Sequence, residues 1–332
     1  MRGMRLSRRL AGLGIALALV GARGEGAALA SEGQDQMVYI TNSDANTVSV
    51  VDRKGRKVVR TFPVGEYPHH MLHSLDGKFL YVGNTHSDSL TVVDLATHQP
   101  VRLIPNIRDP YNLFYDRPRR HMVVTNTRLG IVDVYDAQSL KKLHQIPTGK
   151  EPNHFAFNEE GSLLFVTNEK SQTVSVIDTR EWKVAKQITV GLRPVDIHLG
   201  PDKKEAFVAL YGEGKVAVID VAALEVKEKF ETGKGAHGLA LAPDGKTLFV
   251  SNRNADTVSV VEPASRRVVR QIPVPGGPDM LGVTPDGGEL WVTSRYRNFV
   301  HVVDAREHKV LARIKTGAAP HGVTFSWAAG HH

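Results

Sequence analysis

From residue 37 onward the sequence repeats itself every 42 residues, and such a period constrains the fold more strongly than any local motif. The stretches VYITNSDANTVSVVD (38–52), LFVTNEKSQTVSVID (164–178) and LFVSNRNADTVSVVE (248–262) are versions of one unit. Steps of 42 from Asn42 reach Asn84, Asn126, Asn168, Leu210, Asn252 and Ser294. The same steps from Asp52 reach Asp94, Asp136, Asp178, Asp220, Glu262 and Asp304. From Pro68 they reach Pro110, Pro152, Pro194, Ala236, Pro278 and Pro320. Seven units, starting at 37, 79, 121, 163, 205, 247 and 289, fill residues 37–330 without an insertion.

Each unit predicts four short strands. HGLALAPDGK (237–246) is a strand entering a Pro-Asp-Gly turn, where glycine permits positive φ. TLFVSN (247–252) and TVSVVE (257–262) alternate with period two. RRVVRQIPV (266–274) is a fourth strand with a basic face, which suits an exposed outer edge. Four strands per unit, seven times over, predict an all-β, seven-bladed β-propeller with four antiparallel strands per blade. The phase of the repeat also predicts how the ring closes. The repeats open on a second strand (38–41) and end on a first strand (321–325), so the two chain ends complete one blade.

The segments YITN, YVGN, VVTN, FVTN and FVSN are each followed by an alternating strand and a G-x-x-P-type turn. On these residues the chain resembles the YVTN-repeat family of exported bacterial and archaeal β-propellers, over essentially all of residues 37–330. Two units depart from the pattern: repeat two carries DRPRR (116–120) in place of the turn, and repeat five breaks the asparagine column at Leu210.

Residues 1–30 are a different material. Arg2, Arg5, Arg8 and Arg9 precede the apolar run LAGLGIALALV (10–20), and Ala28-Leu29-Ala30 follows, the order of an export signal. The apolar run is shorter than the ~20 residues that span a bilayer. Cleavage is expected after Ala30, with Ala22 as the rival position, leaving residues 31–36 as a short linker. SRRLAGL (7–13) resembles a twin-arginine signal. The reading is therefore a periplasmic or secreted protein with no membrane span in the mature chain. Without the leader, 37 basic and 34 acidic residues remain, so the net charge falls from +7 to +3. That charge argues against nucleic acid as the partner. The absence of cysteine removes disulfides, thiolate metal sites and covalent c-type haem.

Residues that recur in every unit, such as the Asn42 and Asp52 columns, read as turn and strand-end scaffold. Function is sought where the units disagree. The column after the repeat proline reads His69, Tyr111, Asn153, Val195, His237, Asp279, His321. The next reads His70, Asn112, His154, Asp196, Gly238, Met280, Gly322. Both lie where the chain enters the innermost strand, at one mouth of the central channel. Five histidines occupy these fourteen positions, where 15 in 332 residues would place fewer than one. The loops after the second strands reach the same face and bring Arg128, Arg253, Arg295 and Arg297.

His69, His237, Asp279 and His321 come from four successive blades at one equivalent height. Two or three imidazoles with one carboxylate form a set that a divalent transition metal accepts. The competing reading is a hydrated channel rim with no metal. His70, His154 and Asp196 lie one residue deeper, where strand alternation turns them between blades or behind the first ring. With Arg128, Arg253, Arg295 and Arg297 they are the candidate ligand-binding residues.

No nucleophile elbow, phosphate loop or metalloprotease motif is present. The reading favoured is a module that binds a small-molecule or protein ligand at the channel mouth. A metal-dependent enzyme of the lyase or hydrolase type is the second reading, since propeller lyases and lactonases place similar groups near the axis. The repeats also resemble the propeller domain of d1-haem nitrite reductases, which implies haem handling as a third.

Overall fold

The computed structural model describes residues 36–326 as a ring of seven four-stranded antiparallel sheets. Residues 1–35, where the expected leader and most of the expected linker fall, and residues 327–332 lie outside the described residues. A single turn of 3-10 helix, Thr127–Leu129, is the only helical element among them. No helix among the described residues is long and apolar enough to cross a membrane.

Blade 1 is built from both ends of the described chain. Its innermost strand is Pro320–Phe325, followed outward by Met37–Asn42, Thr47–Asp52 and Lys57–Pro63. Val38 pairs with Phe325 and Ile40 with Val323, as the repeat phase predicts. Blades 2 to 7 run in chain order from innermost strands Pro68–His73, Pro110–Tyr115, Pro152–Phe157, Pro194–Leu199, Ala236–Leu241 and Pro278–Val283.

The alternating second and third strands are buried on both faces because a blade is covered by a neighbour on each side. The core therefore lies between sheets. Val38, Ile40 and Val51 of blade 1 pack with Trp291, Val300 and Val302 of blade 7, sealing the ring with apolar contact. Each fully buried side chain of this kind contributes about 1.5–3 kcal/mol. The outer strands behave as edges. Arg267–Pro273 buries only Ile272 fully, and its charged residues face water.

The asparagine column is structural. Asn168 Nδ2 donates to Thr173 Oγ1 (3.1 Å) and Ser175 Oγ (2.8 Å), and its Oδ1 accepts from Gly149 N (3.0 Å). Asn42 and Asn252 make the same donor pairs. The departures occur as matched pairs seven residues apart. Where Leu210 replaces asparagine the partner is Ala217, and both are fully buried apolar groups. Where Ser294 replaces it, the partner is His301, with Oγ and Nδ1 2.9 Å apart. A buried polar group without a partner costs about 1–3 kcal/mol, which explains why the two positions change together. Asp52, Asp94, Asp136, Asp220 and Asp304 accept backbone N–H groups two or three residues on, as local turn caps. At DRPRR, Asp116 Oδ1 accepts from Arg120 N and His121 N, and Arg119 takes the left-handed φ of 56°. The exceptional turn keeps the ordinary geometry by using a side-chain cap.

One irregularity sets up the site. The innermost strand slips register just after the repeat proline, between Pro68 and Met71 in blade 2 and at the same place in every other blade. Such a bulge re-aims side chains. It lies on the two variable columns.

Candidate functional site at the channel mouth

Hydroxyl groups on the second strands fix the height of the first column. Thr41 Oγ1 donates to His69 O (2.7 Å), Thr125 to Asn153 O, Thr167 to Val195 O and Ser251 to Asp279 O. Each bond runs from one blade to the next. The glycines of the second column reflect the same close approach. A Cβ at Gly322 would stand 2.4 Å from His69 O, and one at Gly238 would stand 2.6 Å from Asp279 O.

The structure divides the four residues expected around one metal into two groups. His69 and His321, from blades 2 and 1, lie with ring centroids 4.1 Å apart. His70 joins them, its ring 4.9 Å from that of His321 and edge-on to it. One ligating atom from each of His69, His70 and His321 lies within 4.8 Å of the other two. Period-two alternation had turned His70 away from the ring of His69; the bulge brings consecutive residues into one cluster. Tyr111 closes it, 4.3 Å from His69.

His237 and Asp279 belong to the second group, with Arg253 and Arg295. Asp279 is fully buried. Its Oδ1 accepts from Arg253, and its Oδ2 lies 3.4 Å from Arg295 Nη1. His237 Nε2 accepts from Arg253 Nη2 (2.6 Å), while its Nδ1 lies 3.1 Å from Asp279 Oδ1 without hydrogen-bond geometry. The groups meet where His321 Nε2 approaches Asp279 Oδ2 at 4.0 Å. Arg295 Nη2 also donates to Tyr67 OH (2.7 Å), whose ring stacks on His86.

Ionisation follows from burial and these neighbours. Burial alone would raise the Asp279 carboxyl, but the guanidinium groups of Arg253 and Arg295 outweigh it and hold the group well below the usual carboxylate range. Burial pushes His69, His237 and His321 well below the ordinary imidazole value. Arg295 adds to the shift at His69 and Arg253 at His237; at His321 the other imidazoles add to it. These three rings are neutral at neutral pH. Two arginines thus share one carboxylate among neutral imidazoles, leaving one positive charge uncompensated. Arg253 Nε and the Nδ1 atoms of His69, His237 and His321 are buried without a hydrogen-bond partner, a concentration of unmet polar groups at one place.

The remaining candidates separate by role. His154 is buried; its Nδ1 donates to Val195 O (3.1 Å), and its Nε2 faces His70 Nε2 at 2.9 Å. Asp196 spends its carboxylate on backbone, accepting from Ile197 N and from Leu239 N of the next blade, both at 2.8 Å. Arg128 bonds Thr85 O, Asp88 and Asp109, joining loops of blades 2 and 3. Arg297 is exposed beside Gly276. Sequence reasoning missed Tyr67, Tyr211 and Arg193. Arg193 lies over the Tyr211 ring at 4.3 Å and pairs with Glu169, which accepts from Asn153 Nδ2. Tyr211 stands one repeat before Arg253, so the loop column that flagged the arginines contained its signal.

A model of YNCE-like β-propellers matches residues 8–331. The chain belongs to that family. Its YVTN-type repeats accord with this membership. No protein of curated function matches the sequence. Solved structures share its shape. Hydrazine synthase of Kuenenia stuttgartiensis is 21% identical at a TM-score of 0.68, with 77% of this chain and 88% of that chain covered. The dihydro-haem d1 dehydrogenase NirN is 14% identical at 0.69, covering 87% and 74% respectively. A functionally unknown protein from Desulfotomaculum acetoxidans DSM 771 is 15% identical at 0.73, covering 87% and 98%. At these identities the likeness is one of fold alone.

Proposed function

We propose that the chain is an exported binding module that takes a small anionic ligand, or an acidic group of a protein ligand, at this mouth. The observation that carries the reading is the pairing of Arg253 and Arg295 with a single buried carboxylate. In a site partly shielded from water, the surplus charge attracts an anion more strongly than it would on an open surface. Tyr67, Tyr111 and Tyr211 supply flat apolar faces and hydroxyls around it. Arg253 and Arg295 are the charged contacts, with His70 and His154 of the adjoining imidazole cluster as further ones; Arg128 and Arg297 line the outer approach. Free access to exported ligands requires that residues 1–30 act as an export signal, so N-terminal sequencing of exported protein should begin near Ser31.

Thermal denaturation with panels of small carboxylates and phosphate esters tests the reading. A true ligand at one hundred times its Kd stabilises the fold by about 2.7 kcal/mol. Replacement of Arg253 by Met should remove that stabilisation. Failure of every anion at millimolar concentration to shift the parent would sink the proposal.

The haem reading draws on the likeness to NirN, a dihydro-haem d1 dehydrogenase. In this chain the rings of blades 1 to 4 are in mutual contact at the mouth, so a macrocycle would have to lie over its outer face. Visible absorbance on haem addition tests it.

A further inference from the structure

The three-imidazole cluster at the seam of blades 1 and 2 is a different arrangement from the arginine–aspartate pair beside it. We propose that His69, His70 and His321 hold one first-row transition-metal ion of the kind imidazole binds well, copper or zinc. The site stands on its own observations and does not need the anion reading.

Ligand type and spacing come first. Three nitrogens that lie within 4.8 Å of one another are close to a coordination sphere. Metal–nitrogen bonds of about 2.0–2.1 Å in a tetrahedral arrangement place nitrogens about 3.4 Å apart. The rings therefore need to close by about 1.4 Å at most, a distance that small side-chain rotations cover. Three protein nitrogens leave a fourth position for water or an anion, as in open zinc sites.

The backbone beneath the cluster is already fixed. A single hydroxyl ties the two ligand-bearing strands together: Thr41 Oγ1 donates to His69 O and accepts from Gly322 N at 2.8 Å. Because Gly322 follows His321, this bond holds the His69 and His321 backbones in one relation before any ion arrives. The bulge after Pro68 presents His70 to the same point.

The outer partners match what metal-bound imidazoles require. His154 engages one nitrogen of His70 at 2.9 Å, and Val195 O anchors the far side of the His154 ring. A ligand ring oriented by a hydrogen bond on its far side is the ordinary arrangement behind metal-bound histidine. His69 Nδ1 and His321 Nδ1 are buried and unpartnered, and binding an ion would satisfy such lone pairs. His70 is half-buried and opens the cluster to solvent.

The same geometry removes two residues from the set that the sequence suggests. Asp279 is held by Arg253 and Arg295, and His237 Nε2 accepts from Arg253. Arg295 opposes a dication, and Asp279, 4.0 Å from His321 and shared by two arginines, offsets that opposition only in part. An anion drawn by the arginines is well placed to fill the metal's fourth position.

The test uses full-length protein purified without an affinity tag, with His331→Ala and His332→Ala replacing two terminal histidines that lie outside the described residues. Metal-free protein is titrated calorimetrically with Zn(II) and, separately, with Cu(II). One equivalent of either ion per chain is expected. His69→Ala and His321→Ala should each weaken binding at least tenfold, and His237→Ala less than twofold. Absence of uptake by the parent, or uptake undiminished in His69→Ala and His321→Ala, overturns the proposal. Should those variants fail to fold, Cu(II) electron paramagnetic resonance of the parent decides: hyperfine coupling to three imidazoles supports the site, and two or fewer overturns it. Arg253→Met should retain the metal while losing anion-dependent stabilisation, so the two readings fail separately.

Discussion

Replacement of Asp279 by Asn is the sharpest probe of the channel mouth, because it removes a charge while keeping shape and volume. Asp279 is completely buried and is the shared partner of Arg253 and Arg295, whose side chains are each 16% exposed. Without the carboxylate, two guanidinium groups remain beside each other among neutral imidazoles, and Arg253 Nε already lacks a partner. Breaking a buried pair from one side costs about 3–5 kcal/mol, since the stranded charge keeps its desolvation penalty. Two stranded cations put Asp279→Asn in that range. Equilibrium urea denaturation at pH 7.5 should show the loss as a lower midpoint with an unchanged slope. Salt at about 0.5 M should recover little of it, because screening acts weakly on buried charges. Adding Arg253→Met should restore about 2 kcal/mol or more, as one stranded cation is removed. A loss below about 1 kcal/mol, the magnitude of an exposed pair, would refute the account of a buried, charge-deficient mouth.

Acid sensitivity should follow two other buried histidines. Burial, with Arg119 nearby, lowers His73 to about 4, and burial with Arg313 lowers His301 to about 4. Their folded values lie below the unfolded value of about 6.5, so the unfolded state binds more protons in between, and stability falls as pH drops through that window. Each group should cost about 2 kcal/mol at pH 5, on top of the contribution of His69, His237 and His321, and His73→Gln with His301→Gln should make the profile less steep; an equally steep profile in the double variant would exclude them as contributors. Asn168→Ala strands Gly149 N–H and should cost about 1–3 kcal/mol. Asn168→Leu with Ser175→Ala, copying the apolar pair of blade 5, should recover part of that loss in the same urea assay. A chain ending at Ala319 leaves Met37–Asn42 without its inner neighbour and exposes the apolar seam around Phe325; cooperative melting at the parental temperature would contradict closure by strand exchange.

The period of 42 residues determined the blade number, the four strands per blade and the pairing of the chain ends, because each follows from side-chain alternation and turn chemistry repeated in phase. The scaffold role of Asn42 and Asp52 was equally legible, since a residue required in every blade answers to local hydrogen bonding. The sequence also placed His69, His237, Asp279 and His321 at one height, but height is not proximity. Only the tertiary structure decided how they group. Arg253, sixteen residues beyond His237 and on the loop after the next strand, reaches across to take Asp279, and alternation along a strand gives no sign of that reach. The closeness of His70 to His321 escapes the sequence for a related reason. Alternation predicts side-chain direction on a regular strand, and the register slip after Pro68 breaks the regularity where the functional residues lie. A bulge is a compromise between two packed strands, so its effect on His70 is settled by the neighbouring blades and is not written in residues 68–71.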